Sequence, residues 1–189
     1  RLSIFVPRPP TRSTGGEERL QNDSKRCNWT GRWPMAEQTL PEDFKEFLKL
    51  LNEAEVRYLL VGGYAVGFHG YPRATADMDI WVAVSADNAA RLVEVFHRFG
   101  MTDPHVTADL FQQRGKIIRM GVPPMRIEVL TEIDGVDFSE CFEARVTAEI
   151  DGQPVWLISR EYLRRNKRAA GRHKDLDDLE NLPDEGSSD

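Results

Sequence analysis

Residues 59–84 read LLVGGYAVGFHGYPRATADMDIWVAV. The apolar run Tyr58 to Val61 has the length and composition of a buried strand. Gly62 and Gly63 then remove side chains where the strand turns into a short helix. Gly70, Tyr71 and Pro72 break that helix. A second strand follows, Asp77 to Val84, in which Asp77 and Asp79 leave the same face because side chains alternate along extended chain. Two carboxylates so close repel unless a cation lies between them. Hard divalent ions take oxygen ligands, and Mg²⁺ in particular is held by one or two carboxylates together with substrate phosphates. The bare main chain at the glycine turn suits a phosphate, with the helix dipole adding to the attraction. These residues predict a metal–nucleotide site with two Mg²⁺ ions on Asp77 and Asp79 and an NTP against Gly62 and Gly63.

The flanking sequence extends the pattern on both sides. Leu40, Phe44, Phe47, Leu48 and Leu51 recur at helical spacing up to about Asn52, and the strand from Arg57 follows. Ser85 is placed to cap a helix with Ala89, Leu92, Val93, Phe96 and Phe99 as its buried stripe and Gly100 as its end. A short helix is expected near 108–113, then strands at 116–120 and 126–130. Glu128 sits between Ile127 and Val129 and so projects from the opposite face, as a candidate third carboxylate. A hairpin around Asp151-Gly152 joins strands at 145–150 and 154–158. Ser159 caps a helix running to Ala170 and stopped by Gly171. A last helix, about 172–182, is expected to bury Leu176 and Leu179. The predicted class is α/β (α+β), a small mixed β-sheet flanked by helices with further helices at the C-terminus.

Leu60-Val61-Gly62-Gly63 with Arg73-Ala74-Thr75-Ala76-Asp77-Met78-Asp79-Ile80 resembles the signature of the polymerase-beta-type nucleotidyltransferase superfamily. Within it the chain is similar to the AbiEii/type IV toxin group, whose later basic helix is matched by Asn166 to Asp175 with Asp178 following. The resemblance implies a nucleotidyltransferase fold and transfer of a nucleoside monophosphate to an acceptor hydroxyl. That acceptor would be RNA, particularly tRNA, or a protein. A cognate antitoxin is an implied partner. It also implies a third acid on a later strand, the element Arg126 to Leu130 with Glu128. Lys167 is the expected counter-charge to the triphosphate. Lys174 and Asp175 either orient Lys167 and the phosphates or lock the last helix. Arg73 and Thr75 either contact phosphate or hold their loop. Gly63 stands where the family often has Ser. The alternatives are a small-molecule antibiotic nucleotidyltransferase and a non-catalytic partner-binding module of a toxin–antitoxin or phage-defence locus.

Composition bounds these readings. The chain has 189 residues, 40% hydrophobic and 30% charged, which suits one globular domain. No apolar stretch is long enough to cross a bilayer, and Cys27 and Cys141 are too few for a disulfide framework, so a reducing cytoplasm is expected. Residues 1–34 carry seven basic and three acidic side chains, leaving a charge of −10 on residues 35–189. That first segment is expected to be a disordered extension, non-native or upstream in origin, followed by a nucleotidyltransferase domain at 35–184 and a frayed tail at 185–189. Seven Lys or Arg lie between Arg160 and Lys174, and seven acids with no base follow from Asp175. On so acidic a domain, any RNA would have to dock on that local basic patch.

Overall fold

A computed structural model of the chain describes residues 3–6, 40–122 and 125–183. Its centre is a mixed sheet of six strands, β2 (Tyr58–Val61), β3 (Asp77–Val82), β4 (Ile117–Met120), β5 (Arg126–Leu130), β6 (Val146–Ile150) and β7 (Gln153–Leu157). A short strand β1 (Ser3–Val6) runs parallel to β4 and completes the spatial order β1-β4-β5-β3-β2-β7-β6. The disorder expected of residues 1–34 otherwise falls outside the described residues, as does the expected tail.

Seven helices, among the described residues, surround the sheet: α1 (Glu42–Glu53), α2 (Gly62–Phe68), α3 (Ala86–Arg98), α4 (Ala108–Phe111), α5 (Phe138–Glu143), α6 (Arg160–Ala170) and α7 (His173–Asn181). The Ser85 hydroxyl accepts from the Asn88 N–H to start α3, and the Ser159 hydroxyl does the same for Tyr162 in α6. Gly171 ends α6 in the left-handed region at φ 61°. Phe47 of α1 meets Phe96 and Phe99 with ring centroids 5.8 and 5.0 Å apart, so the apolar stripes of α1 and α3 lock together. None of the described helices is long and apolar enough to cross a membrane.

Two features place the chemistry. β3 pairs antiparallel with β2 and parallel with β5, in a register that sets Asp79 opposite Glu128 and Asp77 opposite Arg126. Met78, Ile80 and Val82 are fully buried, whereas Asp77 and Asp79 alternate onto the other face. The second feature is α7. Leu176, expected inside, is 46% exposed, and Asp175 and Asp178 are buried in its place. The helix docks by charge, as described next.

Candidate active site

β2 ends at Val61 and α2 begins at once on Gly62, so both glycines form the first turn of the helix instead of a separate linker. Gly62 has φ +61°, and a Cβ built on it would lie 1.9 Å from Asp79 Oδ2. A Cβ on Gly63 would lie 2.5 Å from Thr75 Oγ1, so the serine common in related sequences has no room here unless Thr75 moves. The Thr75 hydroxyl in turn donates to the Asp77 carbonyl (3.2 Å) and ties the loop to the acid strand. Each glycine is thus fixed by what approaches it.

A cleft of about 370 Å³ opens over this turn. Its lining includes Gly62, Gly63, Arg73, Thr75, Asp77, Asp79, Glu128, Lys167, Lys174 and Asp175, so the structure gathers all ten residues singled out in the sequence into one concavity. The carboxylates do not share one environment. Both Asp77 oxygens accept from Arg126, Nε at 2.9 Å and a terminal nitrogen at 2.8 Å, in a bidentate fork. Glu128 accepts from Arg119 Nε at 2.7 Å, with Arg126 3.8 Å away. Asp79 makes no hydrogen bond or ion pair among the described residues. Burial, then the negative charges of Glu128 and Asp77, push its pKa up to about 6 against the pull of Lys167 and Lys174.

This arrangement bears on metal binding. Among the described residues, no three acidic, His or Cys side chains are already drawn together as a metal centre. The donor set is nevertheless all oxygen, Asp79 carries an uncompensated charge, and the two other acids are held by guanidinium groups where a cation would serve. Hard divalent ions fit that chemistry.

The basic elements form a second, drier network. Lys167 is buried, its Nζ 2.7 Å from Asp175 Oδ1 and 2.8 Å from Asp178 Oδ2. Arg73 forks onto Asp178 (2.6 and 3.0 Å) and Arg172 holds Asp175 (2.6 Å). Burial opposes ionisation of both aspartates, but bonds from Arg73 and Lys167 to Asp178, and from Arg172 and Lys167 to Asp175, outweigh it and hold both pKa values below the usual carboxylate range. The network fastens the Arg73 loop, α6 and α7 together along one wall of the cleft. Lys174 projects into the cleft beside it with no hydrogen bond or ion pair among the described residues.

Sequence reasoning passed over Arg119, Arg126, Arg172 and Asp178 as partners. The signal for Arg126 was present, since it lies two residues before Glu128 on the same strand face. Arg119 is adjacent to Glu128 only through the β4–β5 register.

Replacing Gly62 with Ala is expected to displace the Asp79 carboxylate and strain the backbone by about 1–2 kcal/mol. A melt lowered by a few degrees together with at least a hundredfold loss of transfer would bear this out; wild-type transfer would show that Asp79 has room to move.

A profile of the aminoglycoside-2''-adenylyltransferase family matches residues 43–182. A search of curated protein sequences finds no match. A nucleotidyltransferase-type protein from Thermotoga maritima aligns structurally at 16% identity and a TM-score of 0.46, over 74% of this chain and 89% of that one. An antigenic nucleotidyltransferase-like protein from Paracoccidioides brasiliensis aligns at 21% identity and a TM-score of 0.44, over 74% of each chain. The profile match agrees with the nucleotidyltransferase superfamily that the motifs resemble and does not single out the AbiEii/type IV toxin group within it. Covering most of the chain, it shows that the protein belongs to the aminoglycoside-2''-adenylyltransferase family and is a nucleotidyltransferase.

Proposed function

We propose that the cleft transfers a nucleoside monophosphate from an NTP to a hydroxyl of a small cationic acceptor of the aminoglycoside type. The observation that carries this reading is the unpaired, charge-stressed Asp79 between Asp77 and Glu128, on the bare main chain of Gly62. Asp77 and Asp79, with Glu128, would hold Mg²⁺, two ions by the usual division of labour. The bound metal would neutralise the triphosphate and stabilise charge on the attacking and leaving oxygens.

The residues around it have separable tasks. Glu128 positions the acceptor hydroxyl and takes its proton. The acceptor oxygen then bonds to the α-phosphorus as the bond from phosphorus to the β-phosphate oxygen breaks, and pyrophosphate leaves. Gly62 and Gly63 present main-chain N–H groups to the phosphates, and Arg73 and Thr75 hold the loop that shapes this end of the cleft. Lys167 is committed to Asp175 and Asp178, so it contributes field and alignment, and the unpaired Lys174 is the group free to follow the phosphates. Positioning and charge neutralisation suffice for this class of transfer.

The acceptor is inferred from charge. Glu132, which lies 3.8 Å from Arg114 at the surface, and Asp134 also line the cleft on the loop after β5, and their negative charge favours a cationic acceptor over a polyanionic one. The basic patch that an RNA would need is partly spent within the protein: Lys167 is buried against Asp175 and Asp178, Arg164 donates to the Leu179 and Leu182 carbonyls, and the exposed Arg165 pairs with Glu161 at the surface. This weighs against a tRNA acceptor and a toxin role, with its antitoxin, and a protein acceptor has no surface feature in its favour. The glycine turn and all three acids are in place, which weighs against a non-catalytic module.

The test is transfer of label from each α-labelled NTP with Mg²⁺, offered aminoglycosides, cellular RNA and cellular protein in parallel. Label on the aminoglycoside with pyrophosphate release is expected, and Asp77→Asn should abolish it without unfolding the protein. Label on RNA, weakened steeply by moderate salt, would move the assignment to the toxin type. Near-normal transfer by folded Asp77→Asn would remove the carboxylate pair from the mechanism.

A further inference from the structure

Asp77, Asp79 and Glu128 would together carry three negative charges when ionised, enough to hold a bare divalent ion and to repel a triphosphate. Two guanidinium groups reduce that charge. Arg126 occupies both oxygens of Asp77, and Arg119 occupies Glu128. Neither contact is accidental to the surface, because the strand register places Arg126 beside Asp77 and Arg119 beside Glu128. Both pairs are half-buried, where charge interactions are screened less than in bulk water. The net formal charge of the five groups is one negative.

From this geometry we infer that Arg126, with Arg119 in support, sets the order of binding. The pair blocks capture of a bare divalent ion and makes the site accept a cation together with a polyanionic nucleotide. Asp77 can ligate a cation only by loosening the Arg126 fork. With a bare ion, that leaves the guanidinium facing a second positive charge. With a metal–nucleotide complex, the phosphates supply compensating negative charge, so the exchange becomes favourable. Arg126 is therefore a positioning residue for Asp77. The inference rests on the metal–nucleotide reading above and adds a coupling between the two ligands.

The experiment is Mn²⁺ binding followed by electron paramagnetic resonance, with and without α,β-methylene-ATP, on wild-type protein, Arg126→Met and Arg126→Lys. Wild-type protein is expected to bind Mn²⁺ weakly alone and at least tenfold more tightly with the nucleotide. Arg126→Met should bind bare Mn²⁺ about tenfold more tightly than wild type, the direction set by removing one positive charge a few ångströms away, and should lose most of the nucleotide enhancement. Arg126→Lys, which keeps the charge, should stay near wild type. A structural role alone would weaken binding in Arg126→Met, never strengthen it. Equal bare-Mn²⁺ affinity in wild type and folded Arg126→Met overturns the inference while leaving the metal–nucleotide reading standing. No Mn²⁺ binding by any protein even with nucleotide overturns both. Should Arg126→Met not fold, Arg119→Met, which strips the same charge from the Glu128 side, carries the same expectation and the same overturning result.

Discussion

Asp79→Asn should abolish transfer and make the metal-free protein more stable. The native pKa of Asp79 lies at about 6 against an ordinary 3.8, with burial as the first cause and Glu128 and Asp77 as the next two. Folding therefore favours the protonated form. Between the two values the native state binds more protons than the unfolded chain, so stability falls as pH rises through that window and the cost is fully present above about pH 6. An elevation of this size converts to about 3 kcal/mol, and asparagine, which keeps the shape and discards the charge, should recover about 1–3 kcal/mol of it at pH 7.5. In a domain of this length the melting temperature then rises by several degrees.

The pH dependence separates this cause from others. Near pH 4 Asp79 is protonated in the folded protein, so wild type and Asp79→Asn should melt together, and the difference should open on the way to pH 7. Added Mg²⁺ with nucleotide should reverse the order, stabilising wild type and leaving the variant unmoved. A gain that is the same at pH 4.5 and pH 7.5 would mean the asparagine acts through packing. A loss of stability at pH 7.5 would mean that Asp79 is not stressed by its neighbours. The stored cost at Asp79 weakens the fold, and the proposed cation would relieve it by neutralising the charge that Glu128 and Asp77 oppose.

Features built from neighbouring residues are legible in the amino-acid sequence, and those that depend on strand pairing are much less so. The strand–glycine–acid segment, the Ser85 and Ser159 caps, the Gly171 stop and the Asp151-Gly152 hairpin turn are written in neighbouring residues. They appear within one or two positions of where they were expected. The helix Phe138–Glu143 was missed: it is six residues long and its cap, Asp137, lies in a run with no sustained apolar period. The approach of Glu128 to Asp79 was expected only from the resemblance, because it requires β3 and β5 to pair in parallel across almost fifty residues. A slip of one residue would have turned Glu128 to the other face. Leu176 was misjudged for a different reason. The α7 pattern offers two inward faces, Leu176 with Leu179 or Asp175 with Asp178. Apolar periodicity favours the first, but the buried cation on α6 selects the second.

That cation makes the second large prediction, opposite in sign. Lys167→Met should destabilise the protein by about 3–5 kcal/mol at neutral pH, because it leaves two buried carboxylates facing each other with only Arg73 and Arg172 to balance them. Methionine fills much of the lysine's volume, so the loss reports charge more than cavity. In wild type, Asp178 and Asp175 have native pKa values below 3.8, so their stabilisation is present above that value and is lost as pH falls through the native ones. Without Lys167 their native values rise, and the variant regains ground as they protonate. Urea unfolding at pH 7.5 and pH 4.5 should show a wide gap between the two proteins at the first and a narrower one at the second. A loss under 1 kcal/mol at pH 7.5, or a gap that does not close in acid, would show that Arg73 and Arg172 alone hold α7. The same wall carries Lys174, so loosening it should also raise the apparent KM for the NTP in whatever fraction remains folded. Asp79 and Lys167 thus mark two uses of charge around one cleft. The acid is left unpaired at the centre, where a ligand can complete it, and the lysine is fully paired at the wall, where it keeps the other parts in register.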